Sequence, residues 1–391
     1  FIFILYFAAP IWSELYSEPD VTLIIRILSI YFLLSLFCFI PEVKLYRKLD
    51  YKNKIKPDIL RSILGTLSTV IFALNGYSYW SIVFGTLISE ISRTLFFFYL
   101  SPWWPKLSFD INIAYKLFRY SRWVILASIF SIINNYLDYM IIGKYLSVTA
   151  LSYYWVAYRW GHLSSENLRP IFLEVLFPTF SRNSSSNAVI SKGVSKSIKY
   201  CSIIAFPMSL GMVSVSDIFV ITLFGEKWEP SIVLLQLLAI SGLIRSLSIM
   251  DSVILSKGKP EYGTFAGVIN AFFMCFLLLL LVPKWGLSGA CVSVLMSFFF
   301  RAVFLYYVSS KLLETSLLIF LRPMVIPLVS SLLMYSAISI FRVYILTTTY
   351  NIIFLIFLVA FGIVSYCLFL QILSRGTILS EIYILIKSIF K

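Results

Sequence analysis

Hydrophobic runs of about 20 residues, each closed by a short polar turn, follow one another from the first residue to beyond Leu370. A helix rises about 1.5 Å per residue, so a run of that length crosses a hydrocarbon core of roughly 30 Å. Twelve such spans can be marked, near 1–15, 21–41, 59–75, 78–100, 123–143, 148–180, 200–222, 229–256, 261–283, 286–309, 323–341 and 348–373. The pattern predicts an all-α integral membrane protein with about 12 transmembrane helices. The first run opens inside the apolar stretch FIFILYFAAPIW without an initiator Met, and is expected to be clipped. The sixth is over-long and holds Pro170 and Pro178, where a kink or tilt is expected. Pro207, Pro323 and Pro327 mark further places for irregular helix.

The polar turns alternate in charge. One side collects 21 of the 32 Lys and Arg residues, from Lys44–Lys56, Lys106–Arg122, Arg182–Lys199, Lys257, Lys259, Lys311, Arg322 and the C-terminal segment. The other side has only Lys144, Lys227, Lys284 and Arg342, and 7 arginines lie inside spans. By the positive-inside rule the basic side is cytoplasmic, and the C-terminus lies with it. The opposite turns are short (SEPD, NGYSY, GKYLS, FGEKWEP, PKWG), so no catalytic domain fits there and an enzyme is not expected. INIAYKLFRYSR is amphipathic and is expected to lie in the interface, joining two bundles, with Pro102 and Pro105 around Trp103 and Trp104 at the boundary.

Composition agrees with the pattern. The chain is 60% hydrophobic and only 13% charged, a balance outside the range of soluble domains. A net charge of +14 would suit nucleic acid if it were gathered on a soluble face. Here it sits in turns between spans, so no nucleic-acid partner is expected. Cys38, Cys201, Cys275, Cys291 and Cys367 lie in apolar spans without paired spacing, which predicts neither a disulfide framework nor a metal site, and no cofactor. No GxxxxGK[ST] loop occurs, so any driving force has to come from an ion gradient or from downstream consumption of the product.

The charges inside spans are the candidate chemistry, because an ionised group at the bilayer centre costs about 2.5–3.5 kcal/mol and normally faces protein or water. At about 100° per residue, Trp155, Arg159, His162, Glu166 and Arg169 fall within an arc of roughly 80°. Such a stripe is expected to line a cavity. Its residues would either serve a substrate or pair internally, Arg159 with His162 or Glu166 and Glu166 with Arg169. Asp138 and Asn134, four apart, make a polar spot that would bind a proton or cation, or bridge to a neighbouring span. Arg245 shares a face with Ser241, Ser248 and Ser252, while Asp251, further on, is expected to cap the loop. Glu90 and Arg93, three apart, suit an intrahelical pair or a second cavity position.

Several segments, taken together and in order, resemble the polysaccharide exporters of the multidrug/oligosaccharidyl-lipid/polysaccharide (MOP) flippase superfamily, especially the O-antigen and colanic-acid exporter-like group. They are VKLYRKLDYKNKIK at 43–56, GYSYWSIVFG at 76–85, LDYMIIGKYLSVTALSYYWVAYRW at 137–160, VLFPTFSR at 175–182 and LFGEKWEPSIVLLQLLAISGLIRSL at 223–247. The resemblance implies a fourteen-helix, two-lobed transporter of which this chain lacks the first two helices. Residues 1–100 would complete the first lobe, 101–122 the linker, 123–309 the second lobe, and 310–391 an extra helix pair with a cytoplasmic tail. It also implies a flippase in the bacterial inner membrane, moving an undecaprenyl-pyrophosphate-linked oligosaccharide by alternating access, beside membrane lipids and a polysaccharide polymerase or chain-length machinery.

The chemistry suits that expectation. A pyrophosphate and a hydrated sugar chain need a wet path with fixed cations and aromatic faces. Substrate contacts are expected from Arg159, Arg245, Arg169, Arg93 and Trp155, and coupling to H+ or Na+ from Asp138, Asn134, His162 and Glu166. A drug/cation antiporter of the same superfamily is the main alternative, disfavoured by the excess of arginine over acid in the spans. A membrane-embedded polymerase or glycosyltransferase would need larger outward loops.

Overall fold

The structure is a computed structural model and describes residues 2–16, 18–47, 50–102, 110–182, 186–345 and 351–376. Every described element is helical. The chain divides into two compact units, Phe1–Arg119 and Tyr120–Lys391. Trp103, Trp104 and Pro105, and the expected tail from 377 onward, lie outside the described residues.

The first unit contains α1 (Ile2–Tyr16), α2 (Asp20–Arg47), α3 (Tyr51–Leu74) and α4 (Trp80–Leu100). Asp50 starts α3 by accepting the Asn53 N–H at 3.2 Å, the usual task of a short acceptor at a helix N-terminus. Gly65 and Gly85 let α3 and α4 come together: a Cβ on Gly65 would sit 2.8 Å from Ser89 Cβ, and one on Gly85 would overlap the Thr69 side chain. α2 closes on the other side of α4, where Cys38 Sγ meets Thr94 Oγ1 at 3.0 Å. Tyr79 O–H donates to Asp20 at 2.6 Å and pins the start of α2 to the α3–α4 turn. α2 and α4 therefore run in parallel, with α3 antiparallel to both.

The second unit is built around α9 (Ser231–Leu247), whose Leu234, Leu235, Leu238 and Ala239 are buried against α5 (Ile111–Tyr145), α6 (Val148–Gly161), α8 (Asn187–Phe224) and α11 (Pro260–Leu312). α7 (Leu163–Arg182) and α10 (Asp251–Ser256) complete the middle of the unit. Next come α12 (Leu318–Leu321), a 3₁₀ turn at Arg322–Met324, α13 (Val325–Ile345) and α14 (Ile352–Leu373). α11 is really two arms folded back at Gly286, whose φ of 57° suits glycine. Phe273 stacks on Phe300 and Phe265 faces Phe304, so the arms are antiparallel. α13 and α14 dock on α8: Arg342 binds Asp217 and donates to the Ser214 carbonyl, and Tyr366 O–H donates to the Ile203 carbonyl.

Among the described residues, eight stretches are long and apolar enough to cross a membrane, with the folded-back α11 as one of the eight. α1 has 15 residues and α6 has 14, so neither reaches that length. Large apolar side chains such as Phe272, Phe276, Ile356 and Val364 point outward, as a lipid-facing surface requires.

Several expectations are corrected here. The interfacial segment 111–122 is not separate but runs straight on into the span as α5, since no glycine or proline interrupts residues 111–142. The expected cytoplasmic loops are largely helix: α2 continues to Arg47, α3 starts at Tyr51, and α8 starts at Asn187 behind its cap Ser186. Arg342, expected in a turn, belongs to α13. α8 passes through Pro207 as one helix. The sixth span breaks at His162, not at Pro170 or Pro178, whereas Pro323 does fall in the 3₁₀ turn.

A second break, with no proline or glycine to announce it, interrupts the span of α9 at Ser248–Met250. Ser246 and Ser248 hydroxyls donate to the carbonyls of Gly242 (2.8 Å) and Ile244 (3.0 Å), a local bond that bends helices. Tyr306 O–H reaches the freed Leu247 carbonyl at 2.9 Å. A freed carbonyl in an apolar surround needs such a donor.

Candidate functional site

The two breaks shape the site. α6–α7 crosses α9 where Gly161 meets Gly242, so close that a Cβ on Gly242 would lie 2.4 Å from the Gly161 carbonyl. Around this crossing the second unit holds two chambers of about 850 Å3 and about 620 Å3. Asn135 and Arg245 line both and form the neck between them.

The smaller chamber brings together Trp155, Arg159, His162 and Glu166 of the stripe with Tyr136, Tyr139 and Tyr158. Arg169 falls in the larger one. The stripe does not pair internally. Glu166 binds Arg245 across the helices at 3.2 Å, and Arg169 binds Asp251 at 2.8 Å. Arg159 is exposed in the chamber and, among the described residues, has no hydrogen bond or ion pair. Trp155 is 54% exposed, an aromatic face open to the chamber. His162 is fully buried; its ring stacks on Tyr158 at 4.0 Å, with Nδ1 3.3 Å from the Tyr158 carbonyl and Nε2 3.4 Å from Ser241 Oγ.

Arg245 is the most heavily engaged residue of the site. Besides Glu166 it donates to Tyr158 Oη at 3.2 Å and Asn135 Oδ1 at 3.5 Å, and its guanidinium lies 5.4 Å from the centre of the Phe298 ring. Asn135 and Arg301 are polar residues inside spans, but neither they nor Phe298 are among the site residues expected from the sequence. The larger chamber is also walled by Asp251, which caps no loop: Arg169 and Arg301 both hold it, the latter at 3.0 Å. Together the chambers carry four arginines (159, 169, 245, 301) against two carboxylates (Glu166, Asp251), a net of +2.

Asn134 does not bond Asp138. It donates to the Gly267 carbonyl at 3.1 Å and accepts from Asn270 at 2.9 Å, bridging α5 to α11 at the wall of the larger chamber. Asp138 is buried behind the smaller chamber and accepts the Tyr154 hydroxyl at 2.5 Å. Arg93 belongs to the first unit, where Asp58 and Glu42 hold it at 2.8 Å each and the buried Glu90 stands 3.6 Å away.

The sequence profile of a family described as "Polysaccharide biosynthesis protein" matches residues 1–233, more than half of the chain. The chain belongs to this family. The teichuronic acid biosynthesis protein TuaB of Bacillus subtilis (strain 168) is 27% identical over 263 residues, 66% of this chain and 54% of that protein. The lipopolysaccharide biosynthesis protein WzxC of Escherichia coli (strain K12) is 27% identical over 311 residues, 76% of this chain and 61% of that protein. The chain thus spans between half and two thirds of the length of these polysaccharide-biosynthesis relatives. Its fold is that of the lipid II flippase MurJ in an inward closed conformation, with a TM-score of 0.78 at 15% identity over 96% of this chain and 81% of that one. A multidrug resistance MATE family transporter of the MOP superfamily, inward-facing, superposes with a TM-score of 0.61 at 16% identity, over 81% and 79% of the two chains. The chain is therefore an all-α, multi-pass membrane protein whose fold is like that of these transporters.

Proposed function

We propose that the protein is a flippase that carries a lipid-linked oligosaccharide of the undecaprenyl-pyrophosphate type across the bacterial inner membrane by alternating access. The observation that supports it best is the excess of arginine around the neck of the two chambers. A hydrated pyrophosphate cannot enter hydrocarbon, and guanidinium forks match its oxygens while exchanging for its water. Arg159 brings a cation that has no counter-charge among the described residues, and Arg245 brings one that it shares with Glu166. Trp155, Tyr136 and Tyr139 offer aromatic faces on which sugar rings stack. A cationic drug would need the opposite charge balance, so the antiporter reading is the weaker one. In the cell, a polymerase or chain-length machinery would take up the translocated product.

The test is export of surface polysaccharide by a strain that depends on this protein. Arg245→Ala and Arg159→Ala should each abolish export at normal membrane levels, and Arg→Lys should retain part of it. Wild-type export by both alanine variants removes the cationic-chamber mechanism.

Directional transport needs a driving force, and we assign it to an H+ or Na+ gradient acting through Asp138. Tyr154 donates to Asp138 from α6, so gain or loss of charge there bears on the helix that carries Trp155 and Arg159. In proteoliposomes, an imposed pH or sodium gradient should change the flipping rate of the wild type, and Asp138→Asn should lose that response. Equal rates for both proteins under every gradient make Asp138 a packing residue.

A further inference from the structure

Asp251 is held by two arginines that belong to different elements. Arg169 of α7 donates to Oδ2 at 2.8 Å, and Arg301 of the second arm of α11 donates to Oδ1 at 3.0 Å and Oδ2 at 3.2 Å. One carboxylate cannot neutralise two guanidinia, so the cluster keeps a net charge of +1 at the wall of the larger chamber. Arg169 Nε is buried and has no hydrogen-bond partner, a donor left over after Asp251 is satisfied. Asp251 also stands beside an interruption of regular helix, although Ile249, Met250, Val253 and Ile254 around it are buried. It opens the six-residue α10, directly behind the break at Ser248–Met250.

We propose that Asp251 is a built-in stand-in for the substrate's phosphate: it occupies a two-arginine anion site while the chamber is empty and gives the site up when the pyrophosphate arrives. The inference rests on the flippase reading and adds to it a specific receiver, Arg169 and Arg301, and a trigger. A pyrophosphate brings more charge and more acceptor oxygens than a carboxylate, enough to use both forks and the spare Arg169 donor. Once displaced, Asp251 no longer ties α10 to α7 and α11 by charge, which leaves only the apolar packing of Val253 and Ile254 to hold it, and the break lets α10 shift without unwinding α9. Binding energy is thereby spent on loosening one contact that the empty state needs, which is how a ligand biases one conformation over another.

A plain structural salt bridge makes the opposite forecast for the same substitution. The experiment uses the whole chain in nanodiscs of uncharged lipid, with inorganic pyrophosphate and an isoprenyl pyrophosphate as probes, followed by calorimetry. Asp251→Asn should bind both probes about tenfold more tightly than the wild type, the value of one charge-assisted contact no longer competed for. Arg301→Gln should weaken binding at least as much, and the double variant should lose the gain. The melting temperature of Asp251→Asn should fall without probe and recover when pyrophosphate is added. Binding by Asp251→Asn no tighter than wild type, in a protein that remains monodisperse, overturns the proposal. If that variant does not accumulate, Arg301→Gln decides alone: unchanged pyrophosphate affinity overturns it. A gain seen only in nanodiscs containing anionic phospholipid, and not with either probe, assigns the site to bulk lipid and likewise overturns it. Loss of export in Arg245→Ala with no gain in Asp251→Asn leaves the flippase reading standing and removes this role alone.

Discussion

Single charges inside the spans have separate lives in this protein, and their partners explain why. The stripe from Trp155 to Arg169 was legible because helical spacing puts those residues on one face, and four of them do meet in one chamber. Their partners were not legible. Glu166 with Arg169 satisfies the local i,i+3 rule, yet Glu166 binds Arg245 and Arg169 binds Asp251, 82 positions away. Local pairs are worth only a few tenths of a kcal/mol, so packing between helices overrides them readily. A stricter bookkeeping of counter-charges would have drawn Arg301 and Asp251 into the site. Arg93 is the contrary case. With Glu42, Asp58 and the fully buried Glu90 around it, Arg93→Ala should destabilise the protein by about 1–3 kcal/mol, because it removes two close ion pairs and leaves the buried Glu90 with Arg61 alone, at 3.6 Å. Thermal unfolding in detergent checks this: an unchanged melting temperature together with lost export would return Arg93 to the substrate contacts.

Whole elements were easier to see than their interruptions. Apolar length marked out the helices, because backbone polar groups in lipid must be satisfied within the segment. The breaks at His162 and Ser248–Met250 carry no strong local sign, and the prolines that seemed to announce breaks at 170, 178 and 207 lie inside continuous helix. What sets the first break beside α9 is the contact of Gly161 with Gly242, a pairing across 81 positions that no local window contains. Gly242→Ala would put a Cβ 2.4 Å from the Gly161 carbonyl and should cost about 1–3 kcal/mol of stability. Gly263→Ala, with open space where its Cβ would stand, should be neutral or slightly stabilising. Melting temperatures of the two variants that shift alike would show that the crossing does not constrain the fold.

At the scale of the molecule, the chain shares its fold with MurJ and with a MATE transporter, and each of its two units keeps its own packing. Orientation is a separate matter, carried by charge. By the positive-inside rule, the excess of 21 basic residues over 4 predicts that the α2–α3 turn faces the cytoplasm and the α3–α4 turn the opposite side. α3 has 24 residues, or ~36 Å, enough to separate its ends by one bilayer. Single cysteines at Lys52 and Ser78 should therefore react with an impermeant thiol reagent from opposite sides of intact cells. Labelling of both from one side reverses the assignment.

The docking of the last two helices bears on how the protein is made. Among the described residues, Asp217 of α8 finds its counter-charge in Arg342 of α13, 125 residues further along the chain. At ribosomal rates of about 5–20 residues per second, α8 waits many seconds in the membrane with a carboxylate that has not met its arginine. A ribosome stalled after α12 would leave that waiting state permanent, and such a chain presents to quality control an unneutralised acid beside an undocked helix face.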